Sequence, residues 1–490
     1  MNNPSLQAAL VIPFVAAMVV LACRNPRVAT AVALAFGVCE EVVLGSIVWM
    51  LHTRGVLVSG AYLRADGLTA VFILNLGLVF VLVLVYAAGY LRHLPSERFS
   101  SPRWFYALLY LFLFTMLGAY LSANLGLLWI VMEGTTLASA LLVGFYNTEG
   151  AVEAGWKYLV VCTVGLAFAL FGTIVLYLAA VKAGIPQTVA LDWASLNELA
   201  PKLVHSRELV KLAFVFLLIG YGTKVGFVPM HLWLPDAHAE APTPISAMLS
   251  AGLLNCAMYA LLRYDSIVSR ATLSSFSHHL LLAFGAASLV IPGLLMLVQR
   301  DLKRLLAYSS VEHMGIIATG IGLGGALGLY GALLHTFNHS VAKSLLFFSA
   351  GSVRENMGTL RMDRIAGLSR LLPWTSSGLV LGGLAIVGLP PFSLFVSEFA
   401  ILNEAFSQAK FLVAAVVLGT LTLVFGAFAF HFMRMIAGDP HQPAFASGSK
   451  TSPLEFAVMG VCTACLITFG LWVPTGFQSL LRHAVEVVQR

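Results

Sequence analysis

Runs of apolar residues about 20 long, each enough for a helix to cross a hydrocarbon layer, recur along nearly the whole of this chain. At that length about 14 segments can be marked. They lie near 5–23, 28–51, 67–91, 104–122, 124–145, 157–180, 209–228 with a short continuation to 240, 245–264, 278–298, 304–323, 327–352, 375–405, 411–435 and 454–481. Hydrocarbon offers the backbone no hydrogen-bond partner, so each segment must satisfy its own N–H and C=O groups as helix. With 59% hydrophobic and 10% charged residues in 490, the chain reads as an all-α polytopic membrane protein. Its formal charge of +6 is small for the length and sits in short loops, which excludes a nucleic-acid footprint and leaves topology as its meaning.

The basic residues cluster by loop. Arg24 and Arg27 follow the first segment, Arg92, Arg98 and Arg103 the third, Arg300, Lys303 and Arg304 the ninth, and Arg354, Arg361, Arg364 and Arg370 the eleventh. Even loops hold fewer, apart from the long sixth, where Lys182, Lys202, Arg207 and Lys211 are spread out. The positive-inside rule puts the odd loops in the cytoplasm and, for an even helix count, both termini in the periplasm of a bacterial inner membrane. No Lys or Arg precedes the first apolar run, the reverse of a signal peptide, so the first helix is expected to stay with its N-terminus outside.

Two segments are interrupted. In 220–251, GYGTKVGFVPMHLWLPDAHAEAPTPISAMLSA, the apolar run carries Lys224, breaks at Pro229 and continues through His231 to Pro242. In GLAIVGLPPFSLFVSEFAIL the break is Pro390-Pro391, with Glu398 beyond it. A proline in a membrane helix frees a carbonyl, which hydrocarbon tolerates only where protein or water can satisfy it. Paired broken segments point to inverted repeats. The expected division is 1–103 for N-terminal helices, 104–264 and 278–435 for two inverted repeats of five helices, and 454–490 for a C-terminal transmembrane helix.

The remaining membrane-depth charges are candidates for an ion path. Glu133, in WIVMEG, has apolar or small residues on both sides, and an isolated charge there costs about 3 kcal/mol, so it is expected to face the bundle interior. Paired with Lys224 or Lys157 it would be a proton switch, because each charge sets the other's proton affinity; alternatively it ties two helices together, and Lys157 snorkels to the interface. Glu312 and His313 lie inside the next half, and His335, His339 and Lys343 recur every four residues on one helix face. Such a row can relay protons toward Glu398. Packing histidines bonded to backbone are the plain alternative, and a metal would need a third ligand and an open position. Glu40 and Glu41, being adjacent, point to different faces; contact with a neighbouring subunit is one reading, and the sequence does not decide it.

Cys462 and Cys465 have a C-x-x-C spacing inside an apolar helix with no second ligand pair, which reads as packing. No cluster-binding cysteine set is present in the sequence, so no cofactor is expected in this chain and any redox centre is expected in a partner. GIGLGGALG lacks both the preceding strand and the following Lys-Ser/Thr of a nucleotide loop.

Five passages carry a resemblance: WIVMEG, GTKVGFVPMHLWLPDAHAEAPTPISA, DLKRLLAYSSVEHMG, HTFNHSVAKSLLFFSAGSV and GLPPFSLFVSEF. Over roughly 100–405 the chain resembles the proton-translocating, antiporter-like membrane subunits of respiratory complex I (the NADH-quinone oxidoreductase family), Mrp-type cation/proton antiporters and group 4 hydrogenases. The resemblance implies 14 helices, two inverted repeats and half-channels joined by a hydrated axis. It makes Glu133 the first-half acid, Lys224 the broken-helix lysine, His339 and Lys343 the middle relay and Glu398 the terminal acid. Ser250 stands where complex I and Mrp members have histidine, and Glu312-His313 where they have Ser-Gln or Ser-His. Both departures, with EGTTLASALLVGFYNTEGAVEAGWKYL, look most like the F-type subunit of hydrogenase-4 and formate hydrogenlyase-like complexes. The implied partners are other membrane subunits and a peripheral, [NiFe]-hydrogenase-like redox module. A self-contained antiporter, an energising subunit for inorganic-carbon uptake and a structural anchor remain the alternatives.

Overall fold

The computed structural model describes residues 3–93, 101–272, 275–438 and 451–489; Arg98 lies outside them. The chain opens with α1 (Pro4–Ala22) and α2 (Pro26–Arg54), then a two-stranded antiparallel hairpin, β1 (Leu57–Ser59) and β2 (Leu63–Ala65), with Leu57 opposite Ala65. Counting apolar segments could not register this hairpin. Then come α3 (Gly67–Tyr90), α4 (Pro102–Leu121), α5 (Leu125–Val143), α6 (Glu149–Lys182) and the short α7 (Trp193–Leu199) in the long sixth connection. The first broken segment is α8 (Arg207–Val225) and α9 (Trp233–Glu240). It is followed by α10 (Thr243–Met248), a π turn at Leu249–Leu253 and α11 (Leu254–Thr272).

The second half runs α12 (Phe276–Leu297), α13 (Leu302–Leu323), α14 (Ala326–Met357) and the one-turn α15 (Leu368–Leu371). The second break separates α16 (Pro373–Ile386) from α17 (Ser393–Ser407), and α18 (Phe411–Ile436), α19 (Pro453–Leu471) and α20 (Thr475–Gln489) complete the chain. Among the described residues, 11 helical spans are long and apolar enough to cross a membrane. Outside that set are α13 and α14, whose apolar runs are interrupted by Glu312, His313, His335, His339 and Lys343, and α16 and α17, each too short alone.

Two kinds of helix surface divide the bundle. The helices α10, α11, α13 and α14 are buried almost all round, while α1, α2, α18 and α19 turn side chains such as Val38, Val42, Trp49 and Phe430 outward. An all-round apolar helix packs at the centre, and exposed apolar side chains are the normal lipid face.

Glycines set the closest approach of α6 to α8. A Cβ at Gly172 would lie 2.8 Å from the Ala213 carbonyl oxygen and 2.9 Å from the Leu217 nitrogen, both backbone atoms that cannot move aside. Small residues let membrane helices touch backbone to backbone, since lipid supplies no hydrophobic drive between them. Gly172→Leu is therefore expected to force α6 and α8 apart at a cost of about 1–3 kcal/mol. A lowered melting temperature of the purified protein in detergent checks it.

Two sequence expectations change. The segment expected as one helix over 454–481, within the 454–490 unit, is two, parted around Pro474. In α20 the residues Phe477, Leu480, Leu481, Ala484, Val485 and Val488 are buried, and Gln478, Arg482 and Glu486 lie off that face. It is an amphipathic helix of 15 residues packed on α3 and α14. Lys303 was grouped with the loop cations, yet it is fully buried. Its Nζ donates to the Ala241 carbonyl at 2.6 Å and that of Ala239 at 3.4 Å. These carbonyls end α9, where intrahelical donors run out and a cation is favoured.

Candidate functional site

Protein groups supply hydrogen bonds across the first break. Gly226, at φ 85°, closes α8, and its N–H donates to the Gly222 carbonyl at 2.9 Å. The Phe227 N–H uses the same acceptor at 2.9 Å, the Trp233 indole N–H takes the Thr223 carbonyl at 2.8 Å, and the Val228 N–H donates to Ser288 Oγ at 3.0 Å. The freed backbone is thus satisfied by protein, as hydrocarbon requires. Pro229, Pro390 and Pro391 all sit at the outer surface, while Lys224 and Glu398 of the broken segments are buried. The second break is closed by Gly388, at φ 69°.

Lys224 lies in the last turn of α8, entirely buried. Its ammonium donates to the Thr136 hydroxyl of α5 and to the Tyr158 hydroxyl of α6 at 3.2 Å; Tyr158 in turn shares a 2.7 Å bond with Ser139. Neutral oxygens hold this lysine, which leaves its charge uncompensated by direct contact.

Glu133 does not face the interior as expected. It is partly exposed, beside outward-pointing Ile130, Leu137 and Leu141, and one carboxylate oxygen accepts from Thr163 at 2.7 Å. Among the described residues it forms no ion pair with Lys224 or Lys157. Lys157 is 46% exposed and pairs with Glu153 one turn away and with Asp236 at 3.7 Å; Asp236 also binds Arg304 at 2.7 Å. Its position about two turns inside α6 lets the long stem carry the ammonium to the rim. His231 is buried beside Tyr308, ring centroids 6.2 Å apart, on the same side as this ionic group.

The second half concentrates the chemistry. On α13, Glu312 and His313 are fully buried, with His313 Nε2 3.4 Å from the Glu312 carboxylate. His313 Nδ1 lies 3.0 Å from His335 Nε2 on α14, and His335 Nδ1 lies 2.9 Å from Ser397 Oγ on α17, next to Glu398. The His339 ring is 5.1 Å from that of His313, with both nitrogens buried and unpartnered. One turn further along α14, the Lys343 ammonium donates to the Leu306 carbonyl at 2.8 Å. Glu398, 4% exposed, lines a cavity of about 280 Å³ between α17 and α18, with Phe395, Phe399 and Phe425 on its walls. So His335, His339 and Lys343 do share the face their spacing demands, and α13 and α17 bring Glu312, His313 and Glu398 to it.

Sequence reasoning missed what joins the halves. Ser250, carried by the π turn, shares a 2.8 Å bond with Ser310, and Ser310 donates at 3.1 Å to the Leu306 carbonyl that also accepts from Lys343. His238 was passed over as well: it is fully buried, its Nδ1 on the Leu234 carbonyl at 2.9 Å and its Nε2 unpartnered. Asp66 and Arg263 form a buried bidentate pair at 2.7 and 2.5 Å, with Arg263 stacked 3.9 Å above Trp193. The pair ties the start of α3 to α11, and no local spacing announces it.

The fold and this buried row define a polytopic, helical membrane subunit built around two broken helices. Residues 122–425 match the family model described as NADH:quinone oxidoreductase/Mrp antiporter, TM. The chain belongs to that family. It is 38% identical over 429 residues to a hydrogenase-4 component F homolog of Methylacidiphilum infernorum, covering 86% of this chain and 88% of the relative. It is 33% identical over 430 residues to NADH-quinone oxidoreductase subunit N of Desulforudis audaxviator, covering 87% and 81%. In fold it superposes on a chain of the Mrp complex from Dietzia sp. with a TM-score of 0.88 at 19% identity, covering 100% and 98%. A chain of an archaeal membrane-bound sulfane sulfur reductase aligns with a TM-score of 0.85 at 24% identity, covering 99% and 98%.

Proposed function

We propose that this chain is a proton-translocating membrane subunit of a hydrogenase-4-like or formate hydrogenlyase-like complex, coupling a partner's redox reaction to proton movement across a bacterial inner membrane. The observation that carries the reading is the buried cluster from Glu312 through His313 and His335 to Ser397, with Glu398 beside it, spanning three helices deep in an apolar bundle. Each imidazole can accept a proton on one ring nitrogen and release it from the other, and the neighbour is already within hydrogen-bond reach. The cluster is rich in nitrogen, which suits protons better than a hard cation such as Na⁺, whose partners are oxygens.

In this reading the 104–264 and 278–435 units are the two inverted repeats, and the odd loops face the cytoplasm with both termini periplasmic. Glu133 sits at the outer face, where a neighbouring membrane subunit covers it. A redox event in a peripheral, [NiFe]-hydrogenase-like module changes the field at Glu133 and shifts the proton affinity of Lys224. The proton then passes through water and the Ser250/Ser310 pair to Lys343, His339, His313 and His335, and Glu398 releases it. The chain itself supplies no cofactor; it holds, orients and passes protons.

Glu398→Gln and His335→Gln in the assembled complex test this. Each is expected to lower proton uptake by inverted vesicles about 10²-fold, with the partner subunits still co-purifying. Loss of partner association with undiminished uptake per assembled complex would instead mark these side chains as anchors.

A further inference from the structure

The same cluster has the make-up of a metal site. One ring nitrogen each of His313 and His335 and one carboxylate oxygen of Glu398 all lie within 4.8 Å of one another, and all three residues are buried. His313 Nδ1 and His335 Nε2 face each other at 3.0 Å, close to the edge that two ligands of a tetrahedral ion span when each bond is about 2.0–2.1 Å. Of the opposite nitrogens, His335 Nδ1 is hydrogen-bonded to Ser397 Oγ at 2.9 Å, and His313 Nε2, without a hydrogen-bond partner, lies 3.4 Å from the Glu312 carboxylate. A ligating histidine almost always donates its other N–H to a carboxylate or similar acceptor, which fixes the tautomer and raises its basicity. The cluster also has an open demand for a cation, because Glu398 Oε1 and both Glu312 oxygens are buried without a hydrogen-bond partner. Two carboxylates beside a divalent ion neutralise it, as burial in a low-dielectric interior requires. The i, i+4 histidines of α14 alone lack a third ligand; in the structure His335 of α14 meets His313 of α13, and Glu398 of α17, which also lines the neighbouring cavity, completes the set.

We propose that His313 Nδ1, His335 Nε2 and Glu398 bind one divalent cation of the Zn²⁺ class, with Glu312 and Ser397 as the outer partners of the two histidines. Two imidazoles and one carboxylate select such borderline ions over Mg²⁺ or Ca²⁺. Ligation needs both facing ring nitrogens free of protons, so protons compete with the metal and affinity falls as pH drops. That the bound ion halts transport rests on the proton-relay reading above; the site itself does not.

The test uses the intact complex, stripped with chelator and titrated with Co²⁺, whose visible d–d absorption reports ligation directly. The expected result is one equivalent of Co²⁺ per chain beyond that bound by His335→Gln, displaced by Zn²⁺, lost in Glu398→Gln and retained in His279→Gln, an exposed histidine on α12. Ser397→Ala is expected to weaken binding about 10- to 100-fold without abolishing it. Equal Co²⁺ binding by wild type and His335→Gln overturns the site. In vesicles, Zn²⁺ is expected to stop proton uptake and EDTA to restore it. Stoichiometric binding with undiminished uptake leaves the site standing and overturns the relay.

Discussion

Lys224→Met is expected to abolish proton uptake by inverted vesicles to the level of membranes lacking the chain, while the complex assembles in normal amount. The physical reason is the setting of this one ammonium. It lies in the last turn before a helix break, fully buried, and is held only by the hydroxyls of Thr136 and Tyr158. With no carboxylate in contact and only two neutral hydroxyls around it, its proton exchange follows changes in nearby charge. Methionine fills a similar volume and leaves two hydroxyls that keep other partners: Tyr158 still bonds Ser139, and Thr136 can turn back to the Met132 carbonyl. Packing therefore survives and proton exchange does not. Uptake driven by the partner's redox substrate, read by fluorescence quenching, checks it against the amount of co-purified partner.

The second large effect is on stability. Asp66→Ala is expected to destabilise the chain by about 3–5 kcal/mol, because it leaves the Arg263 guanidinium buried without its counter-charge. Arg263 donates to both carboxylate oxygens of Asp66 and also to Thr69 and Tyr259 at 3.0 Å each, and it stacks on Trp193. Asp66 further caps α3 by accepting from the Thr69 N–H at 3.0 Å, so the same substitution strips a helix N-terminus. A thermal melt of the purified protein reads the loss. The double variant Asp66→Leu/Arg263→Met is expected to recover most of it, since removing both charges removes the desolvation cost along with the attraction.

Much of the architecture was legible because two simple signals dominate a membrane chain. Apolar length marks helices, and Pro229 and Pro390-Pro391 mark the breaks, since a proline there has few other places to go. The i, i+4 spacing of His335, His339 and Lys343 likewise needed only helical geometry to put them on one face. Facing was another matter. Beside Glu133 the residues of α5 are apolar or small apart from Thr135, Thr136 and Ser139; those three turn inward, while the more strongly polar Glu133 lies toward the outer side with Ile130 and Leu137. Lys303 sits between Arg300 and Arg304 and reads as one more loop cation; its burial comes from the end of α9, about 60 residues away in sequence and near in space. Asp66 and Arg263 are separated still further, and the turn that carries Ser250 is a π turn, which leaves no compositional trace. The C-terminal division could have been seen in the polar Gln478, Arg482 and Glu486, which break an otherwise apolar run with helical spacing.

The central claim is that protons cross between the two halves along a wet line from Lys224 past Ser250 and Ser310 to Lys343 and on to Glu398. A cryo-EM map of the assembled complex, sharp enough to place individual waters, tests it most directly. The account predicts ordered waters bridging Lys224 to the Ser250/Ser310 pair and filling the space between His339 and Lys343. Apolar side chains packed tightly across either interval, with no water density, would contradict it.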